Sequence, residues 1–394
     1  MLRLEMLPAA HGDCLWLEYG IGPTVHRILI DGGPAHTYPT LRERILHLPA
    51  GERNFELLMI THIDADHIEG VIRLLQDSET LGCTFKRIWF NGRDQLNKVP
   101  DPAGESLGAV QGEYLGILIA DYEERVGKKV WNVDFDNGIA SLVPGSDKLP
   151  EVTLEGDCRL TLLSPDFNRL LELKDRWREE LKKAGVTSGD EDTLRRKLED
   201  NKQLRPLGDV LGDQDDDTEF RSELPESAGH DAPMDDELGG GKTEGGDTSK
   251  ANGSSIAVLL EYPAQRPKVK LLLVGDAWAS VLENSIFELL GKKDDAKLSV
   301  HAFKIPHHGS ISNLTETLLQ KIKCKNYLVS TSGARFHHPD PDAMELLLDN
   351  HQAAGKPSLH FNYLTRTTEK WCDDKYQKER GFKAYYPKGI SVEF

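Results

Sequence analysis

The sequence predicts a layered α/β domain interrupted by a charged insertion, and three observations predict it. Short apolar runs that end in polar loops, among them "HRILIDGG", "FELLMITH", "KVKLLLVGDA" and "VHAFKIPHHGS", alternate with stretches of helical periodicity. Such strands occur in both halves of the chain, as parallel solutions to one task. Between the halves lies Leu207–Lys250, with fourteen Asp/Glu against three Lys/Arg; its net −11 leaves only −6 of the total −17 for the remaining 350 residues.

In the first half, strands are expected at "CLWLEY", "HRILIDGG", "FELLMITH", "FKRIWFNG" and "CRLTLLSP", runs of aliphatic and aromatic residues closed by turn formers. Helical spacing predicts helices over Ile68–Glu79 and Ala109–Val126. Residues 1–165 thus form the first part of the domain. Asn168–Leu204 combines helical spacing with dense mixed charge, which predicts two exposed helices around Gly185–Gly189, inserted over residues 166–206. Residues 207–250 are rich in Gly and Asp and too poor in apolar side chains to offset their ordering entropy, so a flexible acidic linker is expected. A lid, a partner-binding arm and a solvated tether all fit that composition. The domain resumes over residues 251–394, with strands at "SSIAVLLEY", "KVKLLLVGDA", "VHAFKIPHHGS" and "KNYLVSTSG" and helices over Ala277–Leu290, Leu314–Lys323 and Pro341–Asn350.

A chain of 394 residues with 38% hydrophobic content buries a sizeable core. No apolar run approaches the roughly 20 residues that span a bilayer, and the alternating "MLRLEMLPAAHGDCLWLEYG" lacks the apolar core of a signal peptide. No membrane association and a cytoplasmic location are therefore expected. Cys14, Cys83, Cys158, Cys324 and Cys372 are odd in number and widely scattered, which argues against a disulfide framework or a thiolate zinc site. A net charge of −17 argues against nucleic acid, although most of the acidity belongs to one segment.

The stretch with the densest chemistry is "LLMITHIDADHIEG", Leu57–Gly70, in which a buried strand runs into two histidines and two aspartates. Residues two apart on an extended strand end share a side, so His62 and Asp64 point together at one ion. A turn then brings Asp66 and His67 toward a second. Further strand ends supply Asp276 after "LLLVG", His307 and His308 in "PHHGS", and Asp31 before a glycine turn. Imidazole nitrogen with carboxylate oxygen suits Zn²⁺, Mn²⁺ or Fe, and the absence of cysteine favours a catalytic site with open positions over a structural one.

In their order, "HGDCLWLEY…ILIDGG", "THIDADHIEG", "NGSSIAVLLEY…LLLVGDA", "KIPHHGS" and "HHPDPDAMELL" resemble the metallo-β-lactamase fold and, more narrowly, the hydrolase domain of ComEC/Rec2 DNA-uptake channels. The match covers residues 1 to about 165 and 251 to about 350. The resemblance implies a four-layered αββα sandwich holding two divalent metal ions, Mn²⁺ or Zn²⁺. It implies His62 and Asp64 on the first ion, Asp66, His67 and His307 on the second, and Asp276 bridging them. Aspartate at position 64, common in the channel-linked branch, stands where most of the wider fold family has histidine, and it raises manganese against zinc. Asn252 stands where the wider family has a ligand histidine, so the first ion is expected to be weaker or partly water-coordinated.

Around these ligands, Asp31 is expected to support a ligand by hydrogen bonding, and His11 and Asp13 are divided between site support and turn chemistry. Two such ions activate a shared water as hydroxide and clamp the attacked group. Asp66 would orient that nucleophile, and His308 or His338 would stabilise the developing charge or protonate the leaving oxygen. The expected function is a metal-dependent phosphodiesterase or nuclease with a nucleic acid or nucleotide substrate. An ester, thioester or lactone hydrolase remains open, as does an effector subunit regulated by a protein partner docked on residues 166–250. For substrate phosphates the candidate cations are Arg93, Arg335, Lys321, Lys323 and Lys325; Trp16, Trp89 and Trp131 read as core. The uptake channels' membrane-spanning helices have no counterpart here, so DNA import does not follow from the fold.

Overall fold

In this computed structural model the described residues are 1–99, 110–184, 246–352, 354–386 and 390–393. They form a mixed α/β structure with two main sheets. In the first, β1 (Leu2–Met6), β2 (Leu15–Ile21) and β3 (Thr24–Ile30) make an antiparallel meander, and β5 (Leu57–Met59) and β7 (Ile88–Trp89) continue it in parallel. A short parallel pair, β4 (Asn54–Phe55) with β6 (Thr84–Phe85), lies beside it. The second sheet begins antiparallel with β8 (Glu151–Leu154), β9 (Cys158–Ser164), β10 (Ala257–Tyr262) and β11 (Val269–Leu273). It continues in parallel through β13 (Ala302–Lys304), β15 (Asn326–Val329), β16 (Ser358–Phe361) and β17 (Lys383–Tyr385). A second short pair joins β12 (Leu298–Ser299) to β14 (Ile322–Lys323), and β18 (Ile390–Glu393) closes the free edge of β1.

Side-chain alternation decides which way each strand looks. On β2 and β3, Leu15, Leu17, Ile28 and Ile30 meet Leu160, Val258, Leu260, Leu271 and Leu273 of the second sheet in one shared core. The alternate residues Trp16 and Leu29 face helices instead, packing with α1 (Tyr38–Leu46), α2 (Ala65–Leu81) and α4 (Val110–Val126). A short helix, α3 (Arg93–Lys98), joins the same cluster through Leu96. On the outer face of the second sheet, Leu259, Leu272 and Phe303 lie under α7 (Ala279–Leu289), α8 (Glu316–Lys321) and α9 (Pro341–Asn350). Trp16 and Trp89 are buried, while Trp131 is partly exposed.

Two expectations about the insertion need correction. Helix α5 (Phe167–Ala184) is not an exposed arm, because it buries Leu170, Leu173 and Trp177 in the helix-side core of the first sheet. An amphipathic helix of this kind has the same composition as a fully solvated one, so composition alone does not separate the two. The boundary drawn at residues 250/251 also falls inside a bonded segment: Asp247, Ser249 and α6 (Lys250–Gly253) hydrogen-bond to the domain. The second charged helix and the linker as far as residue 245 lie outside the described residues. The chain departs from β9 and returns in β10, antiparallel neighbours paired at Ser164 and Ala257, so both ends of the insertion stand at the same end of two adjacent strands. Residues past 350 add β16, β17, β18 and α10 (Asp374–Arg380), none of which was expected. No helix among the described residues is long and apolar enough to cross a membrane.

Candidate metal centre

The parallel strands put their C-terminal ends on one side, which is where open α/β sheets place ligands. Strand β3 delivers Asp31, β5 delivers Thr61 and His62, β11 delivers Asp276, β13 delivers His307 and His308, and β15 delivers Ser330. Helix α2 starts at Ala65 and carries Asp66 and His67 in its first turn. The loop between β1 and β2 is pressed against this turn at Gly12, where a Cβ would lie 1.8 Å from the Asp66 carbonyl oxygen. Only glycine permits that approach.

Four imidazoles converge on a single carboxylate oxygen. Oδ2 of Asp276 lies 3.9, 3.4, 3.9 and 3.6 Å from the Nε2 atoms of His62, His67, His307 and His308. Each ring is held by its other nitrogen. His67 Nδ1 donates to Asp31 Oδ2 at 2.8 Å, and His308 Nδ1 donates to the Ser330 carbonyl at 2.8 Å. His307 Nδ1 donates to Asn313 Oδ1 at 2.8 Å. The Thr61 hydroxyl donates to Asp31 at 2.7 Å, which leaves its oxygen to accept from His62 Nδ1 at 3.0 Å. In the neutral rings these contacts fix the tautomer that turns each Nε2 lone pair inward. The Nε2 atoms of His62, His67 and His308 and Oδ1 of Asp276 are buried without a hydrogen-bond partner. Buried polar atoms without partners are costly, and an ion is the partner this donor set suits. Ligands about 2.1 Å from one tetrahedral ion stand about 3.4 Å apart, close to the spacings seen.

Asp64 Oδ2 lies 3.4 Å from His62 Nε2, with its side chain partly exposed at the mouth. Asp66 Oδ2 lies 3.9 Å from His67 and 3.4 Å from His308. The histidine that faces Asp66 and His67 is therefore His308, whereas the resemblance named His307 there. Consecutive residues with φ of +46° and +55° turn the two rings apart, a conformation unusual for side-chain-bearing residues and one that spacing does not reveal. Asp31 stands behind His67, accepting also from the Thr61 amide at 2.8 Å, and Asn252 stands beside His307 with Nδ2 to Nδ1 at 3.3 Å. His338 lies at the rim, its ring 5.3 Å from that of His307 and its Nδ1 donating to Asp340 Oδ1 at 3.1 Å. Burial lowers its pKa, so it is a neutral imidazole that presents an acceptor nitrogen. His11 flanks Phe336 and His36, and burial pushes it down to about 4.

Lys304 is the residue the sequence reading missed. Fully buried beneath the cluster, its Nζ lies 2.5 Å from Asp13 Oδ2 and 3.8 Å from Asp276 Oδ1. Burial disfavours its charge, yet Asp13 and Asp276 hold its pKa above the usual lysine value. Asp13 thus faces the lysine and, at 3.5 Å, His308 Nδ1, rather than the centre. A lysine in the apolar run "HAFKIP" was the available signal. Burial would raise Asp66 and Asp276, but the surrounding imidazoles hold both well below the usual carboxylate range. Burial would lower His67 and His308, but the carboxylates hold the first well above the usual imidazole value and raise the second to about 9.

The cations suggested for substrate do not gather here. Arg93 is bonded to Asp94 at 3.1 Å and Glu113 at 3.2 Å. Lys321, Lys323 and Lys325 precede β15, at the end of that strand opposite the centre. Arg335 is exposed at the rim, stacked over Phe336 at 5.3 Å and without a carboxylate partner among the described residues. A separate group, His26, Glu56 and Glu155, already holds Lys86. No family model matches the chain, and no curated protein matches it.

Proposed function

We propose that the chain is a dinuclear metal-dependent hydrolase of the metallo-β-lactamase type, resembling in motif order the hydrolase domain of ComEC/Rec2 proteins, and that it cleaves a phosphodiester. The observation that carries this reading is the convergence of four inward-facing imidazole nitrogens on Asp276 Oδ2. Helices on the outer face of each sheet and one core between the sheets support the four-layered αββα arrangement. His62, Asp64, Asp66, His67, His308 and Asp276 would hold two divalent ions, with manganese or zinc suited to their nitrogen and oxygen atoms. When bound, such ions supply Lewis acidity and lower the pKa of water.

The protein's own groups do the rest. Asp66, held by His67 and His308, orients the attacking water through its carboxylate. His308 belongs with the ligands, so it is not free to act on the leaving group. His338, neutral and donating at Nδ1 to Asp340, is suited to accept a proton at Nε2 rather than to give one. Arg335 offers an anion a single charged contact, which favours a small phosphodiester over a polynucleotide lying across many cations.

The test is metal analysis of the purified chain with a turnover screen on DNA, RNA, cyclic nucleotides and acyl esters under Mn²⁺ and Zn²⁺. Asp64→Ala and His67→Ala should abolish hydrolysis without changing circular dichroism. A chain that binds no divalent ion, or full activity in either variant, would sink the assignment.

A further inference from the structure

The ligand count around Asp276 is uneven in a way that gives His307 a task. Asp66, His67, His308 and Asp276 complete one tetrahedral set, since Asp66 faces both imidazoles and Asp276 faces both again. On the other side, among the described residues, stand His62, Asp64 and Asp276. His307 reaches Asp276 at 3.9 Å and makes no contact with Asp66 within ion-pair distance. Its side chain is 24% exposed, so it borders the open side of the cluster rather than the buried floor.

What surrounds His307 is built to hold it. Asn313 Oδ1 accepts from its Nδ1, and Asn313 Nδ2 donates to the Asp276 carbonyl at 3.1 Å and to Asp247 Oδ2 at 2.8 Å. Asn252 Nδ2 donates to the same Asp247 oxygen at 2.8 Å. Asp247 is itself tied down by its amide, which donates to the Ser312 carbonyl at 3.1 Å. One carboxylate thus gathers the two asparagines that flank a single imidazole. A histidine left merely at the surface has no use for an asparagine that fixes its tautomer and a carboxylate that in turn holds that asparagine.

Resting on the dinuclear reading, we infer that His307 is the fourth ligand of the first ion, that the tandem His307–His308 divides between the two ions, and that Asp247 is a positioning residue for His307. The two left-handed backbone residues are what allow adjacent side chains to serve different ions.

The experiment titrates the metal-free full-length chain and its variants with Zn²⁺ against a chelator, and with Co²⁺ followed by its visible absorption. The parent should take up two ions. His307→Ala should keep one tight site and weaken the other at least about tenfold, with the Co²⁺ spectrum of the tight site unchanged. His308→Ala should weaken the opposite site and alter that spectrum. Asp247→Ala should weaken the His307 site alone, about tenfold, and Asp247→Asn should recover part of the loss. His307→Gln provides a second variant of similar size should the alanine protein fail to fold. Two unchanged binding steps in His307→Ala or His307→Gln overturn the inference and leave the dinuclear reading standing; a parent that binds no ion overturns the dinuclear reading itself.

Discussion

Replacing Lys304 with methionine isolates the charge of one buried atom. Methionine keeps the apolar stem, so β13 retains its packing and no large cavity opens. What disappears is the partner of Asp13, a carboxylate that is 1% exposed and whose Oδ1 has no hydrogen-bond partner. Its Oδ2 lies 2.5 Å from the ammonium, and its Oδ1 lies 3.5 Å from His308 Nδ1. Removing one member of a buried pair typically costs about 3 to 5 kcal/mol, because the other charge stays behind without solvent. At about 2 °C per kcal/mol for a domain of this size, the melting temperature should fall by roughly 6 to 10 °C. The measurement is thermal unfolding followed by circular dichroism in a chelating buffer, so that bound ions do not compensate. Adding Asp13→Asn to Lys304→Met removes the stranded charge and should recover at least half of the loss. A single variant within about 2 °C of the parent, or a double variant no better than the single, would refute the argument that a stranded carboxylate causes the loss.

Asp31→Asn removes an acceptor from His67 Nδ1 and Thr61, and metal affinity should fall about 10- to 100-fold with the fold retained, as read by chelator competition. Gly12→Ala drives a methyl group into the Asp66 carbonyl; overpacking of this kind costs about 1 to 3 kcal/mol, and both melting temperature and metal uptake should drop. His360 is stacked on Tyr385 and burial pushes its pKa from 6.5 down to about 4. The unfolded chain therefore takes up its proton first, and stability is lost as pH falls from about 6.5 toward 4, by about 2 kcal/mol at pH 5. His360→Phe should narrow the gap between melting temperatures at pH 7.5 and pH 5, and an unchanged gap would assign the acid sensitivity elsewhere.

Much of this molecule is local, and local features are readable. The strand Leu57–Met59 and the helix beginning three residues after His62 follow from apolar spacing and a polar turn, so His62, Asp64, Asp66 and His67 are together whatever else the chain does. The helix at Pro341–Asn350 matches its expected span because a proline start and apolar spacing mark it. Short strands such as Ile88–Trp89 and Ala302–Lys304 are shorter than their apolar runs, since pairing with neighbours, and not composition, sets where a strand stops. The charged helix Phe167–Ala184 sets Leu170, Leu173 and Trp177 into the core, and only a core to receive them separates a packed helix from a solvated one.

The ligand types and their arrival at strand ends are thus properties of the sequence, because periodicity and residue chemistry act over a few positions. The choice between His307 and His308 is not, for it depends on the left-handed backbone torsions and on which ring is captured by Asn313, six positions on, or by the Ser330 carbonyl beyond the strand Asn326–Val329. Lys304 belongs to the same class: alternation marks it as inward, but only the approach of Asp13 from 291 positions earlier in the chain makes a buried ammonium tolerable. Asp247 reads as one more acid in an acidic run until two asparagines from separate segments close on it. These residues are decided by long-range contact, and a contact between distant segments leaves no periodic trace in either of them.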